Sequence, residues 1–253
     1  MKIFKIVCLA AILFAMAQTL QAEQHVSPER LFSRGNDYYE KGEYDEAISE
    51  YEKVFSSGEV SAALYYNLAG AYFKAGELGK AILNYERARH ILPRDGDLNR
   101  NYKFAQAMVK GKIMPPKNIW SWYPLRIYCR YFTINELTWL SSGMYVVLLC
   151  VLLIALVWGY TRGYTMTLAV LLAGLIFFNT AIIWHKARDM KTAAVTVVPR
   201  AEAYFSPFDT ATKFFTLNEG DKVNVLKDKG DWRRVIRADG KAGWIHKNEV
   251  ERI

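Results

Sequence analysis

The spacing of hydrophobic and polar positions changes along the chain. Residues 28–95 carry apolar positions at the three- and four-residue intervals that are typical of amphipathic helices. Two stretches without a charged residue follow, at 137–161 and 163–184. From about residue 192, short runs of β-branched and aromatic residues alternate with turn sequences. The pattern therefore predicts a multidomain chain with all-α helical hairpins, a two-helix transmembrane hairpin and a small all-β, SH3-like barrel of five strands.

The helical region repeats itself after 34 residues. The segment KGEYDEAISEYEKV from Lys41 and the segment AGELGKAILNYERA from Ala75 share Gly, Ala and Tyr at the same places. This period and pattern resemble the tetratricopeptide repeat (TPR) family, whose units are pairs of helices. Small residues are expected at the close helix crossings, namely Gly35, Ala47, Ala69 and Ala81, and at the turns, namely Gly42 and Gly76.

The TPR resemblance extends over about residues 28–95. Pro93 is expected to end the second helix pair, and the helix that follows Asp95 is expected to cap the exposed apolar side of the array. We therefore predict a TPR domain at 28–112, made of two repeats and a capping helix.

The TPR resemblance also implies a peptide-binding surface on the first helix of each pair. Asn36 and Asn67 resemble asparagines with which some TPR domains bind a C-terminal carboxylate, but Phe32 stands where that set has its first lysine. We favour an aromatic groove for an apolar peptide, since packing within a repeat does not require so many rings. One alternative is that Asn67 is an ordinary TPR residue, and another is that the juxtamembrane segment or the capping helix fills the groove. The candidate partner-binding residues are Phe32, Asn36, Tyr39, Tyr66, Asn67, Phe73 and Lys74.

The N-terminus has the pattern of a secretory signal peptide, predicted at residues 1–22. Lys2 and Lys5 precede the apolar run IVCLAAILFAMA, and the polar stretch QTLQA ends at Ala22. An uncleaved anchor is the alternative. Both interpretations carry the TPR domain across a membrane.

The two uncharged stretches predict transmembrane helices at 137–160 and 164–184, since each is long enough to cross a hydrocarbon core of about 30 Å. The aromatic segment 113–136 before them is predicted to lie in the lipid headgroup layer, with an ordinary linker as the alternative. Basic residues flank the two predicted spans at the ends away from their connecting loop, and this charge distribution favours a cytoplasmic location for both chain termini. The signal peptide instead places both soluble domains outside the cytoplasm. We follow the signal peptide, because long domains cross the membrane largely regardless of charge.

One polar residue, Asn179, falls within the second uncharged stretch. We expect it to hydrogen-bond across the helix pair, because a polar group in lipid needs a partner. Small residues at Ala173, Gly174 and Ala181 are expected to let the two helices approach.

The C-terminal segment, 192–253, resembles the bacterial SH3 family. The resemblance rests on the run LNEGDKVNVLKDKGDWRRVIRADGKAGWIHK, in which glycines and Trp stand at the turns and strands expected for that family. It implies binding of cell-wall peptides or of protein partners. Trp244 is more readily explained as a core or partly buried packing residue. The aromatics that could line such a groove are Tyr204, Phe205, Trp232 and Trp244, and the candidate ligand-binding residues among them are Tyr204, Trp232 and Trp244.

Composition narrows the function classes. The chain of 253 residues has a formal net charge of +8, but it has no run of five basic residues, so we do not expect nucleic acid as a partner. Three cysteines and four scattered histidines do not form a metal-binding pattern, and no catalytic motif is present. We therefore expect neither a metal, a cofactor nor an enzymatic activity.

The order of signal peptide, TPR units, membrane hairpin and SH3 module resembles the aerotolerance (Bat) family, as its E component. This resemblance implies a complex with other Bat proteins, linked to oxygen or stress tolerance. The predicted function is an extracytoplasmic interaction scaffold on the bacterial inner (cytoplasmic) membrane, with TPR-bound protein partners. The alternative is a sensor that binds peptidoglycan peptides through the SH3 module. An amidase-like enzyme is a remoter third class.

Overall fold

The structure is a computed structural model, and two compact units divide the chain at Val60. The predicted signal peptide lies outside the described residues, and so does the predicted headgroup segment up to residue 126. The described residues are 27–111, 127–129, 131–158 and 162–253.

The first unit holds one helix pair, α1 (Pro28–Lys41) and α2 (Tyr44–Ser56). The side chain of Ser27 caps α1 by accepting a hydrogen bond from the Arg30 amide. Gly42 ends α1 with a φ of 82°, a left-handed conformation that glycine adopts without strain. The sequence predicted this turn.

Close packing between α1 and α2 depends on Gly35. A Cβ atom at this position would lie 2.5 Å from Cε1 of Tyr51, so only a glycine admits the ring. Ala47 is completely buried on the facing helix. The predicted close crossing is confirmed in this pair.

The second unit begins with α3 (Ala62–Lys74), α4 (Leu78–Ile91) and α5 (Gly96–Ala107). Ala69 and Ala81 are completely buried, as the repeat pattern predicts. Helix α5 is the predicted capping helix, and it buries Leu98, Tyr102 and Ala105.

Two long apolar helices follow, α6 (Ile134–Val157) and α7 (Arg162–Thr192). Both are long and apolar enough to cross a membrane by length and composition. Large apolar side chains point outward from them; Leu156 is 82% exposed and Phe177 is 78% exposed. Outward apolar surface on this scale is typical of helices that face lipid, so the pair indicates a membrane anchor.

Asn179 joins the two long helices as the sequence predicted. Its Nδ2 donates to the carbonyl oxygen of Leu137 at 3.0 Å and to Oγ of Ser141 at 2.6 Å. The small residues on which we expected the helices to pack are in fact exposed, and among the described positions of α7 the buried apolar residues are Ala169 and Ile182, on the same side as the buried Asn179. The reason is helical geometry: at about 100° per residue, the expected positions lie about 120° or more round the helix from Asn179. Those three positions are Ala173, Gly174 and Ala181.

Helix α7 passes directly into the C-terminal β domain, because Thr192 ends the helix and Ala193 begins the first strand. The strands form one antiparallel sheet with the order β3-β2-β6-β5-β4-β1-β7. The strands are β1 (Ala193–Thr196), β2 (Arg200–Tyr204), β3 (Lys213–Asn218), β4 (Lys222–Lys229), β5 (Trp232–Arg237), β6 (Ala242–His246) and β7 (Val250–Arg252), with a short 3-10 helix at Lys247–Glu249.

The prediction of five strands was wrong, since the described sheet has seven. Strand β2 was missed because its inward positions are the small residues Ala201 and Ala203, which lack the bulk that marks a buried strand. Strand β7 was missed because only Val250 of its three residues is buried. The sheet is consistent with an SH3-like domain.

Candidate functional site

The predicted partner-binding residues of the first helix pair also pack within that pair. The ring of Phe32 lies 5.7 Å from the ring of Tyr51, measured between centroids, and the Tyr51 hydroxyl donates to Oδ1 of Asn36 at 2.7 Å. Tyr39 contacts Tyr44 edge-on at 5.5 Å. These three residues are partly exposed.

The predicted residues of α3 meet the capping helix. Phe73 packs against Phe104 of α5 at 5.7 Å, and Nδ2 of Asn101 donates to the hydroxyl of Tyr66 at 2.6 Å. Tyr66 also lies 6.0 Å from Tyr85. Tyr66 and Phe73 therefore pack against the second helix of the repeat and against the capping helix, which is the packing role that the sequence analysis left open as the alternative.

The two polar residues predicted on α3 are placed differently from each other. Lys74, at the end of the helix, is exposed, and Asn67 is partly buried. Only the lysine is thus freely presented to solvent.

The three aromatics predicted in the SH3-like domain share one face of the sheet. Inward positions alternate with them, since Gly243 and Ile245 are buried on either side of Trp244. Trp244 is paired in register with Tyr204, whose ring lies 5.6 Å from Trp232 at an interplanar angle of 87°. Trp244 therefore belongs to the partly exposed outer face of the sheet and not to its core.

Charged groups border this aromatic face. His246 stacks on Trp232 at 4.1 Å and pairs with Asp209 at 3.1 Å. A hydrogen bond from Lys213 holds the pKa of the Glu202 carboxyl below its ordinary value. Rings flanked by carboxylates favour a ligand that presents both an apolar surface and a cationic group.

Two further rings extend the face: Phe205, which the sequence analysis also proposed as a groove aromatic, and Phe208, which it missed. Phe205 is 58% exposed and Phe208 is 60% exposed, and Phe205 packs on Phe214 at 4.2 Å. They lie in or beside the long loop between β2 and β3. The available indication in the sequence was four phenylalanines within the eleven residues 205–215.

A second surface, which the sequence analysis did not identify, joins α4 to the β domain. The Gly79 amide donates to Oε1 of Glu219 at 2.8 Å, and a Cβ atom at Gly79 would collide with the backbone carbonyl of Thr196. A Cβ atom at Gly220 would lie 2.6 Å from Cδ1 of Ile82. Glycines on both sides thus allow helix and turn to touch. We call this surface the α4 interface.

A buried carboxylate lies in the α4 interface. Nζ of Lys222 is 2.7 Å from Oε1 of Glu86, Nη1 of Arg89 is 3.3 Å from Oε2, and the hydroxyl of Tyr102 also donates to this side chain. Burial alone would raise the pKa of Glu86, but the two cations and the hydrogen bonds lower it to about 2. The carboxylate is therefore ionised at neutral pH and holds α4, α5 and β4 together.

A comparison of the two repeats could have indicated the α4 interface from the sequence. Gly79 and Leu83 stand 34 residues after Asp45 and Ser49, so the second repeat replaces two polar positions with a glycine and an apolar residue. Neither change is needed for packing within a helix pair.

No group of three or more His, Cys, Asp or Glu residues within the described ranges could hold a metal ion.

Comparison with known families agrees with these two folds. The family model for the tetratricopeptide repeat matches residues 32–96, and the family model for the bacterial SH3 domain matches residues 197–251. Both families are typically non-catalytic interaction modules. No curated protein matched the sequence. The chain thus combines a TPR region and a bacterial SH3 domain with two apolar helices that indicate a membrane anchor.

Proposed function

We propose that the protein is a membrane-anchored interaction scaffold whose TPR and SH3 modules bind partners on the extracytoplasmic side of the bacterial inner membrane. The observation that carries the proposal is the direct joining of modules and anchor. Helix α7 enters the SH3 domain without a linker, and the α4 interface holds the SH3 domain against the second TPR repeat. Binding surfaces fixed to an anchor suit a scaffold better than a freely tethered sensor.

The α4 interface also supports a topology in which both modules lie on one side of the membrane. Two spanning helices return the chain to the side from which it started, and modules in contact must share a side. Phosphatase fusions after Lys112 and after Ile253 test the side itself. We expect both fusions to be active, and inactivity of either would reject the extracytoplasmic placement.

The order of the modules supports a finer proposal, which is a complex with other aerotolerance (Bat) proteins linked to oxygen or stress tolerance. Cross-linking in intact cells, followed by mass spectrometry, tests it. We expect cross-links from the TPR region to other membrane-complex components. A cross-linked set without any Bat protein would remove the aerotolerance link while leaving the scaffold proposal in place.

A second candidate function is binding of peptidoglycan peptides by the SH3 domain, and the outer aromatic face favours it. Exposed rings beside carboxylates match peptides that carry amino groups. Trp244→Ala with Phe205→Ala should abolish co-sedimentation with purified peptidoglycan if this function is correct. Tyr39→Ala with Phe32→Ala should instead reduce recovery of protein partners if the TPR region is the main binding surface.

Both double variants need a stability control, because their rings also pack inside the domains. Partner recovery should therefore be normalised to folded protein, measured by thermal unfolding of the same sample. Wild-type recovery of protein partners and of peptidoglycan from two well-folded double variants would reject both candidate functions.

A further inference from the structure

A cavity of about 410 Å³ opens where α4 of the second TPR repeat meets strand β7 of the SH3 domain. Four of its seven lining residues are basic and one is acidic. The lining residues are Arg87, Arg233, Lys247, Asn248, Val250, Glu251 and Arg252. We call it the basic cavity.

Two carboxylates partly balance the basic cavity. Arg87 pairs with Glu251 at 2.8 Å. Asp228 accepts from both Arg233, at 3.0 Å, and Arg252, at 2.8 Å. Within the described part of the chain, the Lys247 ammonium makes no hydrogen bond or ion pair. Four cations thus face two anions, which leaves an excess of two positive charges at one small site.

The cation at the base of the cavity is fixed before any ligand arrives. Arg233 is only 6% exposed, and its Nη1 donates to the carbonyl oxygen of Val250 at 2.6 Å while its Nε bonds Asp228. A buried guanidinium held in one orientation loses little conformational freedom when it binds an anion. Lys247 adds a mobile point charge at the exposed rim of the same cavity.

We propose that the basic cavity binds a soluble oxyanion of the phosphate or carboxylate class, with Arg233, Lys247 and Arg252 as its cationic contacts. The volume lies within the range of about 300–1,000 Å³ that is typical of small-molecule sites. It is therefore large enough for an anionic group attached to a small organic ligand.

The position of the cavity favours a soluble anion over a lipid headgroup. Eight residues of α7 follow Trp184, a length of about 12 Å at 1.5 Å per residue. The headgroup layer extends only about 5–8 Å beyond the hydrocarbon core. Arg252 pairs with Ala194, after the end of that extension, so a helix α7 that runs along the bilayer normal places Arg252 beyond the headgroup phosphates.

A ligand in the basic cavity would couple the two modules. Arg87 belongs to the TPR repeat, whereas Arg252 belongs to the SH3 domain, and they meet at the same opening. An anion that binds only this joined arrangement stabilises it by mass action. The soluble ligand would thereby strengthen the α4 interface.

The test uses the full-length protein in detergent and inorganic phosphate as the probe. Thermal unfolding is followed while phosphate replaces chloride at constant ionic strength. We expect phosphate to raise the Tm of the wild type and of the control Lys227→Gln, which removes an exposed lysine from β4. In Lys247→Gln the phosphate concentration for the half-maximal shift should rise about two- to fivefold, and Lys247→Arg should restore it.

Three outcomes would overturn the proposal. The first is the absence of any phosphate-dependent shift, and the second is an equal shift in wild type, Lys227→Gln and Lys247→Gln, which marks a general salt effect. The third comes from nanodiscs that contain phosphatidylglycerol or phosphatidylcholine. A Tm that responds to phosphatidylglycerol but not to free phosphate would assign the cavity to lipid and reject the soluble ligand.

Discussion

The second helices of the two repeats, α2 and α4, carry the same motif, but equivalent outer positions are exposed on α2 and buried on α4. Glu52 of α2 is exposed, whereas Glu86, the residue 34 positions later on α4, is only 3% exposed. Ser49 is likewise exposed, and its counterpart Leu83 is almost completely buried. The residues that define the motif fix the packing inside each pair. The residues between them determine whether a further domain docks on the outer side of the helix.

Removal of the glutamate side chain should lower stability far more on α4, where it is buried, than on α2, where it is exposed. Glu86→Ala leaves the buried Arg89 without its anion, whereas Lys222 is 41% exposed and can turn to solvent, so the change should lower the free energy of unfolding by about 3 kcal/mol. The matched change Glu52→Ala should cost no more than about 0.5 kcal/mol. Chemical unfolding of the full-length protein in detergent measures both. Equal losses would show that α4 is not specially covered.

The free energy of unfolding should depend on pH through Glu86. Because the folded-state pKa of Glu86 is lowered from 4.5 to about 2, its contribution is complete above about pH 4.5 and is lost as the pH falls toward 2. The stability difference between wild type and Glu86→Gln should therefore shrink over this range. Unfolding at pH 6, 4 and 3 tests it, with Glu52→Gln as the control that keeps the wild-type slope. A difference that stays constant with pH would contradict the ionised Glu86.

A valine introduced at equivalent helix positions should distinguish the two outer surfaces. Gly79→Val places its side chain against the backbone of Thr196 and Val197, which cannot yield cheaply, and should cost about 1–3 kcal/mol. Asp45→Val introduces the same residue at the equivalent position of α2, which is exposed, and should cost at most about 0.5 kcal/mol. Thermal unfolding that ranks the two variants the other way round would place the β domain elsewhere.

The smallest expected effect belongs to the partly exposed ion pair at the edge of the α4 interface. Arg87→Gln removes the contacts to Glu251 and to the Arg252 carbonyl oxygen, and should cost about 0.2–1 kcal/mol. Arg100→Gln breaks a solvent-exposed pair with Asp97 inside α5 and should be near neutral. High salt should reduce the first difference; a salt-independent loss would indicate a packing role instead.

The positions that the sequence predicted are those set by local rules. The turn at Gly42, the buried Ala47 and Ala81, and the interhelical bonds of Asn179 each follow from backbone geometry or from the cost of an unpaired polar group. The face of α7 that packs was predicted wrongly because small size alone does not fix an angular position; only Asn179 did so.

The parts that the sequence did not predict depend on contacts between distant segments. Strand β7 has a single buried residue, so pairing with β1 defines it rather than its own pattern. The sequence left open whether Trp244 is a core, a partly buried or a ligand-binding residue; it is partly buried, because its neighbours Gly243 and Ile245 occupy the inward positions of β6. The α4 interface joins residues about 140 positions apart, which no local pattern can specify.

The most direct measurement tests whether the second TPR repeat and the SH3 domain hold each other without a covalent link. A protease site placed between residues 112 and 126 would cut the chain between α5 and the membrane hairpin. After cleavage of the purified protein in detergent, we expect the helical fragment to remain bound to the hairpin–SH3 fragment during size-exclusion chromatography. Gly79→Val should release it. A helical fragment that separates from the wild-type protein as readily as from Gly79→Val would contradict the docked arrangement.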